Sequence, residues 1–143
     1  MNKIRQELHV HYQHDYELYG IQTAVPEYKL AWELNRVMSI QFKKASDLPL
    51  EGAIESALFV SNFVFTSAHR TFRLLKNQAF PTTDRVAYLL PELKAWAYLL
   101  QVQDPSHSLD YDKLQSTIDD LLIVQQVHRI DLRTLEHKES LLF

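Results

Sequence analysis

Two histidines one residue apart, His9 and His11, followed by His14 and Asp15, form the most suggestive grouping of metal-ligating side chains in the chain. On a strand, residues i and i+2 share a face, so the two imidazoles would meet one cation and the following turn would add a third ligand. The same residues also describe a polar edge strand whose histidines face water, and no independent ligand set stands beside them. Glu92, directly after Pro91 at a strand junction, would act as a general base in a cleft that raised its pKa, with Tyr98 close by in sequence. The structural alternative is that Pro91 sets a turn while Glu92 caps it or pairs with Lys94. Arg70, Arg73 and Lys76 interleave with Phe72, and bases beside exposed rings are the ingredients of single-stranded RNA binding. Phe72 and Arg73 are adjacent on a strand, however, so ring and guanidinium fall on opposite faces and a solvated strand face is the preferred reading. Asp110, Asp112, Asp119 and Asp120 would suit a hard cation, but the first two belong to a helix start, where negative charge opposes the dipole favourably. Trp32, Trp96, Tyr19, Tyr28 and Tyr98 could line a pocket, yet aromatics at helix and strand spacing are expected in the core, and His128 near Ile130 is expected there too.

These residues need elements to hold them. Leu8–Tyr12 and Tyr16–Thr23 read as strands around the turn Gln13-His14-Asp15. Pro26 marks the start of a helix to Met38, with Leu30, Ala31, Leu34, Val37 and Met38 as its apolar stripe. Ile40–Lys43 reads as a short strand before the turn-rich Ala45–Pro49. Ala57–Thr66 and Thr71–Asn77 form a strand pair around Ser67–Arg70, the first buried on both faces and the second half-exposed. Trp96–Val102 is a further strand. Asp110 caps a second helix whose apolar face is Tyr111, Leu114, Ile118, Leu121 and Leu122, and Val124–Leu132 is the last strand. Strands that follow one another in sequence, with helices between, predict one α+β domain over residues 1–143. Its sheet is mainly antiparallel with two principal helices on one face, and a ferredoxin-like variant fits.

Composition excludes more than it assigns. The 143 residues carry a net charge of −3 and no cysteine, which removes disulfides, thiolate metal sites and cysteine nucleophiles together. No cofactor is expected. From Asp104 onward eight acids face four bases, so nucleic acid is not an expected partner of that third. Only two glycines occur, Gly20 and Gly52, where average usage of about 7% would supply roughly ten, and phosphate-cradling loops need clustered glycines. The charged first residues lack a signal-peptide core and no apolar run reaches the roughly 18 residues of a membrane span, so a cytoplasmic protein away from the membrane is expected.

The segment Leu90-Pro91-Glu92-Leu93-Lys94-Ala95-Trp96-Ala97-Tyr98 resembles the signature of the bacterial IPExxxVDY family. Tyr19-Gly20-Ile21, Tyr28-Lys29-Leu30-Ala31-Trp32 with Leu34-Asn35, and the terminal Leu-Leu-Phe are similar to other parts of that family. Leu90 stands where the signature has Ile, Trp96 where it has Val, and Ala97 where it has Asp. The resemblance implies a family but no activity.

Large apolar residues at a chain end are a liability in water, so Leu141, Leu142 and Phe143 are expected to pack into the domain's own groove or into a partner subunit. With no nucleophile elbow, P-loop or paired-acid signature, the leading expectation is a non-catalytic protein-interaction domain with a protein partner, including a homodimer. The alternatives are a ligand- or metal-dependent activity through Glu92 and the His9/His11 pair, and RNA association through Arg70–Lys76.

Overall fold

The computed structural model describes residues 16–50, 58–80, 86–136 and 138–141. The expected strand Leu8–Tyr12, with His9, His11, His14 and Asp15, lies outside the described residues, as do Leu142 and Phe143. Eight strands are present among the described residues: β1 Glu17–Gln22, β2 Lys43–Lys44, β3 Leu48–Pro49, β4 Phe59–Val60, β5 Asn62–Thr66, β6 Thr71–Lys76, β7 Tyr98–Gln103 and β8 Gln126–Arg129. Two helices accompany them, α1 Glu27–Met38 and α2 Tyr111–Asp119. Six of the strands form one antiparallel sheet in the order β2-β5-β6-β7-β1-β8, and β3 pairs with β4 separately.

The topology follows from two crossovers. The chain leaves β1, passes through α1 and reaches β6, which runs parallel to β1 with the antiparallel β7 between them. It leaves β7 through α2 to β8, parallel to β7 with β1 between. Four strands and two helices so connected make the split β-α-β pair of a ferredoxin-like domain, with β2 to β5 inserted in the first crossover. Both helices cover one face. Leu30, Ala31 and Leu34 of α1 and Leu114 and Ile118 of α2 share a core with Tyr19, Ile21, Phe72, Leu74, Leu100 and Val102. Period-two alternation sends Leu18, Leu75 and Leu99 to the other face, where irregular chain covers them with Ala79, Leu89, Leu90, Ile130, Leu135 and Leu141.

The helix boundaries have local causes. Pro26 is the N-cap of α1 rather than its first helical residue, and Ser39 ends the helix in the left-handed region with φ 55°. Its amide returns to the Asn35 carbonyl, a C-terminal stop that glycine more often provides. Asp110 caps α2 as expected, its carboxylate accepting from the Lys113 amide at 3.1 Å.

Several expectations are corrected. The strand anticipated at Ile40–Lys43 shifts to Lys43–Lys44, because the Asn35 side chain accepts from the Phe42 amide at 2.6 Å and ties that residue to α1. Ala57–Thr66 is split at Ser61 into β4 and β5. The burial of the hairpin is reversed: β5 is only partly buried because, among the described residues, only the two-residue β2 flanks it outside, whereas β6 is flanked by β5 and β7 and buries Phe72, Leu74 and Leu75. Helix α2 stops at Asp119, so Leu121 is buried beyond it while Leu122 is fully exposed. The last strand ends at Arg129, and Asp131 opens a short turn by accepting from the Arg133 amide.

Candidate functional site

The segment around Pro91 and Glu92 is held from below by one side chain. Asn77, at the end of β6, is fully buried. Its amide nitrogen lies 3.3, 2.9 and 3.3 Å from the carbonyls of Leu90, Leu93 and Trp96, and its amide oxygen accepts from the Leu90 N–H at 2.9 Å. Its backbone donates to the Ala97 carbonyl and accepts from the Leu89 amide. Buried backbone groups outside helix and sheet need such partners. Pro91 opens a single 3-10 turn, Pro91–Leu93, upon this clamp, and Glu92 is exposed, its carboxylate accepting from the Glu136 amide at 2.8 Å. Glu92 thereby links two of the irregular segments that cover the sheet. Ala97 receives the Gln22 side-chain oxygen on its amide at 2.9 Å, and the Tyr98 hydroxyl donates to the Val25 carbonyl at 2.7 Å. Burial pushes the Tyr98 phenol up to about 12, so it remains a neutral donor there.

Trp96 lies flat on the sheet at Gly20. A Cβ at that position would stand 2.5 Å from the indole ring, so only glycine admits the close approach. His128 from β8 stacks on the same indole, ring centroids 5.9 Å apart and planes 7° apart. His128 is exposed, which corrects the expectation of a core histidine: β8 is at the edge of the sheet among the described residues, and His128 is on the side away from the helices.

The basic residues of β6 do not converge. Lys76 approaches Glu27 at the start of α1, 3.9 Å away, at the opposite end of the strand from Arg70. Arg73 is half-buried on the face away from the helices, opposite Gln101 in β7. Arg70 turns to the loop after β7, its Nε 3.4 Å from the Asp104 carboxylate and its terminal nitrogen 2.8 Å from the Ser108 hydroxyl. Asp104 has a fully buried side chain. Burial by itself would raise its pKa, but donation from the Leu109 amide, the Ser106 hydroxyl and Arg70 holds it below the usual carboxylate value, since hydrogen bonds to the charged form favour it. Leu141 is fully buried in the domain's own second core, and its carbonyl accepts from Gln101 at 2.8 Å.

Two features lie beyond what the sequence pattern predicts. Tyr28 and Trp32, expected in the core, are 70% and 56% exposed on α1. A signal for this is present: at 100° per residue they stand on the side of the helix away from Leu30 and Leu34, with Ala31 at the border between the two sides. Lys29 lies 5.1 Å and Arg36 5.9 Å from the Trp32 ring, and both approach Glu33. The second is a cleft of about 470 Å³ where the end of α1, the β5–β6 hairpin and the start of α2 meet. It joins residues from three separate stretches, so no local pattern announces it. Among the described residues, no three histidine or acidic side chains cluster to hold a metal, and no helix is long and apolar enough to cross a membrane.

No family model, no curated protein and no solved structure matches the chain.

Proposed function

We propose that the protein is a non-catalytic protein-interaction domain that works through the outward face of its helix layer, and that a second copy of the chain is the partner its charges select. The observation that carries this reading is the exposed Tyr28–Trp32 pair on α1. Tyrosine, tryptophan and arginine dominate binding energy at interfaces, and Tyr28, Trp32 and Arg36 stand together on one helix face. Two cations, Lys29 and Arg36, share the single carboxylate of Glu33 there, so the face carries a positive surplus. The outward face of the neighbouring α2 carries exposed Asp112 and Asp119, which line a shallow hollow of about 330 Å³ with Gln115, Ser116 and Val127. A two-fold axis between side-by-side helices sets α1 of each copy on α2 of the other, basic upon acidic twice. Support for a role without catalysis comes from the groups suited to chemistry. Among the described residues Asp104 is the one fully buried carboxylate and is consumed by its own loop, and no histidine side chain hydrogen-bonds to a carboxylate or hydroxyl.

Sedimentation of charge variants tests the pairing. The wild-type chain is expected to have the mass of a dimer, and Trp32→Ala that of a monomer. Lys29→Glu with Arg36→Glu makes both helix faces acidic, and Asp112→Lys with Asp119→Lys makes both basic; each variant alone should be monomeric, and an equimolar mixture should recover the dimer. A wild-type monomer, or a mixture that stays monomeric, rejects the reading.

In the same spirit we propose the chain as a divergent member of the IPExxxVDY family. The stretch that carries the likeness, Leu90–Tyr98, is the one clamped by Asn77. In this reading Pro91 and Glu92 serve the integrity of the domain, and Ala97 acts through its backbone amide, which any residue but proline would supply there.

A further inference from the structure

We propose that the cleft between the end of α1, the β5–β6 hairpin and the start of α2 binds a small amphipathic monoanion, an aliphatic chain ending in a carboxylate. This does not rest on self-association. The volume, about 470 Å³, is within the roughly 300–1,000 Å³ of small-molecule sites, which are apolar with a few placed polar groups. Its apolar lining comes from Val37, Phe65, Phe72 and Leu114, with the Phe65 and Phe72 rings 6.2 Å apart. Leu114 and Phe72 are buried members of the helix-side core, while Phe65 and Val37 pack at its edge, only partly buried. The cleft is therefore an unfilled continuation of that core.

The charges on its lip select the head group. Arg70 is there already neutralised, paired with buried Asp104 and fastened to Ser108. Asp110 is committed to the Lys113 amide at the α2 N-cap. Lys113 is different: it is exposed and, among the described residues, makes no ion pair. One ammonium outside any ion pair among the described residues, beside an apolar hollow, matches one negative charge on an apolar chain. A second negative charge would meet the Asp110 carboxylate without a cation of its own. The Arg70–Asp104–Ser108 bonds fix that wall in advance of binding, which lowers the ordering cost of capture.

Calorimetric titration of the full chain with decanoate, decanol and decyltrimethylammonium, each below its aggregation concentration, tests the assignment. Decanoate should bind one per chain, at least tenfold tighter than the other two, with amide shifts in NMR confined to residues around Phe65, Phe72 and Leu114. Lys113→Gln should weaken decanoate about five- to tenfold and leave decanol unchanged. Lys113→Glu should reverse the preference toward the ammonium. Thr117→Phe, which fills the cleft from α2, should abolish binding. Equal binding of all three ligands, no saturable binding of decanoate, or shifts elsewhere on the domain would each overturn the proposal. If Thr117→Phe fails to fold, the two Lys113 variants and the ligand series decide it alone.

Discussion

The two faces of the sheet are covered by different means. One carries α1 and α2, whose apolar stripes satisfy their own backbone internally and lose only side chains to the core. The other carries irregular chain, residues 86–97 and 130–136 with Leu141, which has little internal ladder. There side-chain amides substitute for the missing backbone partners: Asn77 under the Pro91 turn, Gln22 on Ala97, Gln101 on Leu141, with Glu92 joining the two stretches. A helix spreads its dependence over many equivalent apolar contacts. An irregular cover concentrates it on a few polar side chains, of which Asn77 alone serves several backbone groups.

That contrast predicts which single changes hurt most. Asn77→Ala should be the worst, costing about 4 kcal/mol in urea unfolding, because it strands several buried backbone groups at once; a cost below that of a helix-face truncation breaks the comparison. Leu34→Ala, fully buried under α1, is the matching change on the helix face and should cost about 3 kcal/mol. Gly20→Ala follows at about 2 kcal/mol through the clash with Trp96. Most of that penalty should vanish in a Trp96→Val background, and additive costs would show that the indole is not what Gly20 accommodates.

Asp104→Asn should be the mildest, about 1.5 kcal/mol near neutral pH from lost charge-assisted hydrogen bonds, and its size should depend on pH. The folded pKa of Asp104 is depressed, so its contribution is complete above the unfolded value of about 3.9 and fades as pH falls through the lower folded value. Stability curves of wild type and variant should therefore converge in acid. Parallel curves down to pH 2 would remove the charge from the account.

The helix-covered face is largely legible in the sequence. The stripe Leu30, Ala31, Leu34 and the Asp110 cap are local patterns, and the strands that alternate in type fall near their expected places. On the other face the strand core is legible, but its cover is not. No periodicity marks Leu90–Trp96 as a clamped turn, since its carbonyls bond to Asn77, outside the segment. The reversed burial of β5 and β6 has the same origin: composition reports how apolar a strand is, and its neighbours in the sheet decide how much of it is hidden. Tyr28 and Trp32 are legible as a pair one helical turn apart, but their aromatic character points to the core, although the helix has already filled its inward side with Leu30, Ala31 and Leu34.

The sequence by itself determined the class of fold, the absence of thiol and glycine-loop chemistry, and both helices, because these depend on composition and on contacts three or four residues apart. Tertiary structure alone decided that Glu92 holds Glu136, that Arg70, Arg73 and Lys76 part company, and that Lys113 overlooks an apolar cleft. Each of these depends on partners from other stretches of chain, which only the assembled sheet, with helices on one face and irregular chain on the other, brings within reach.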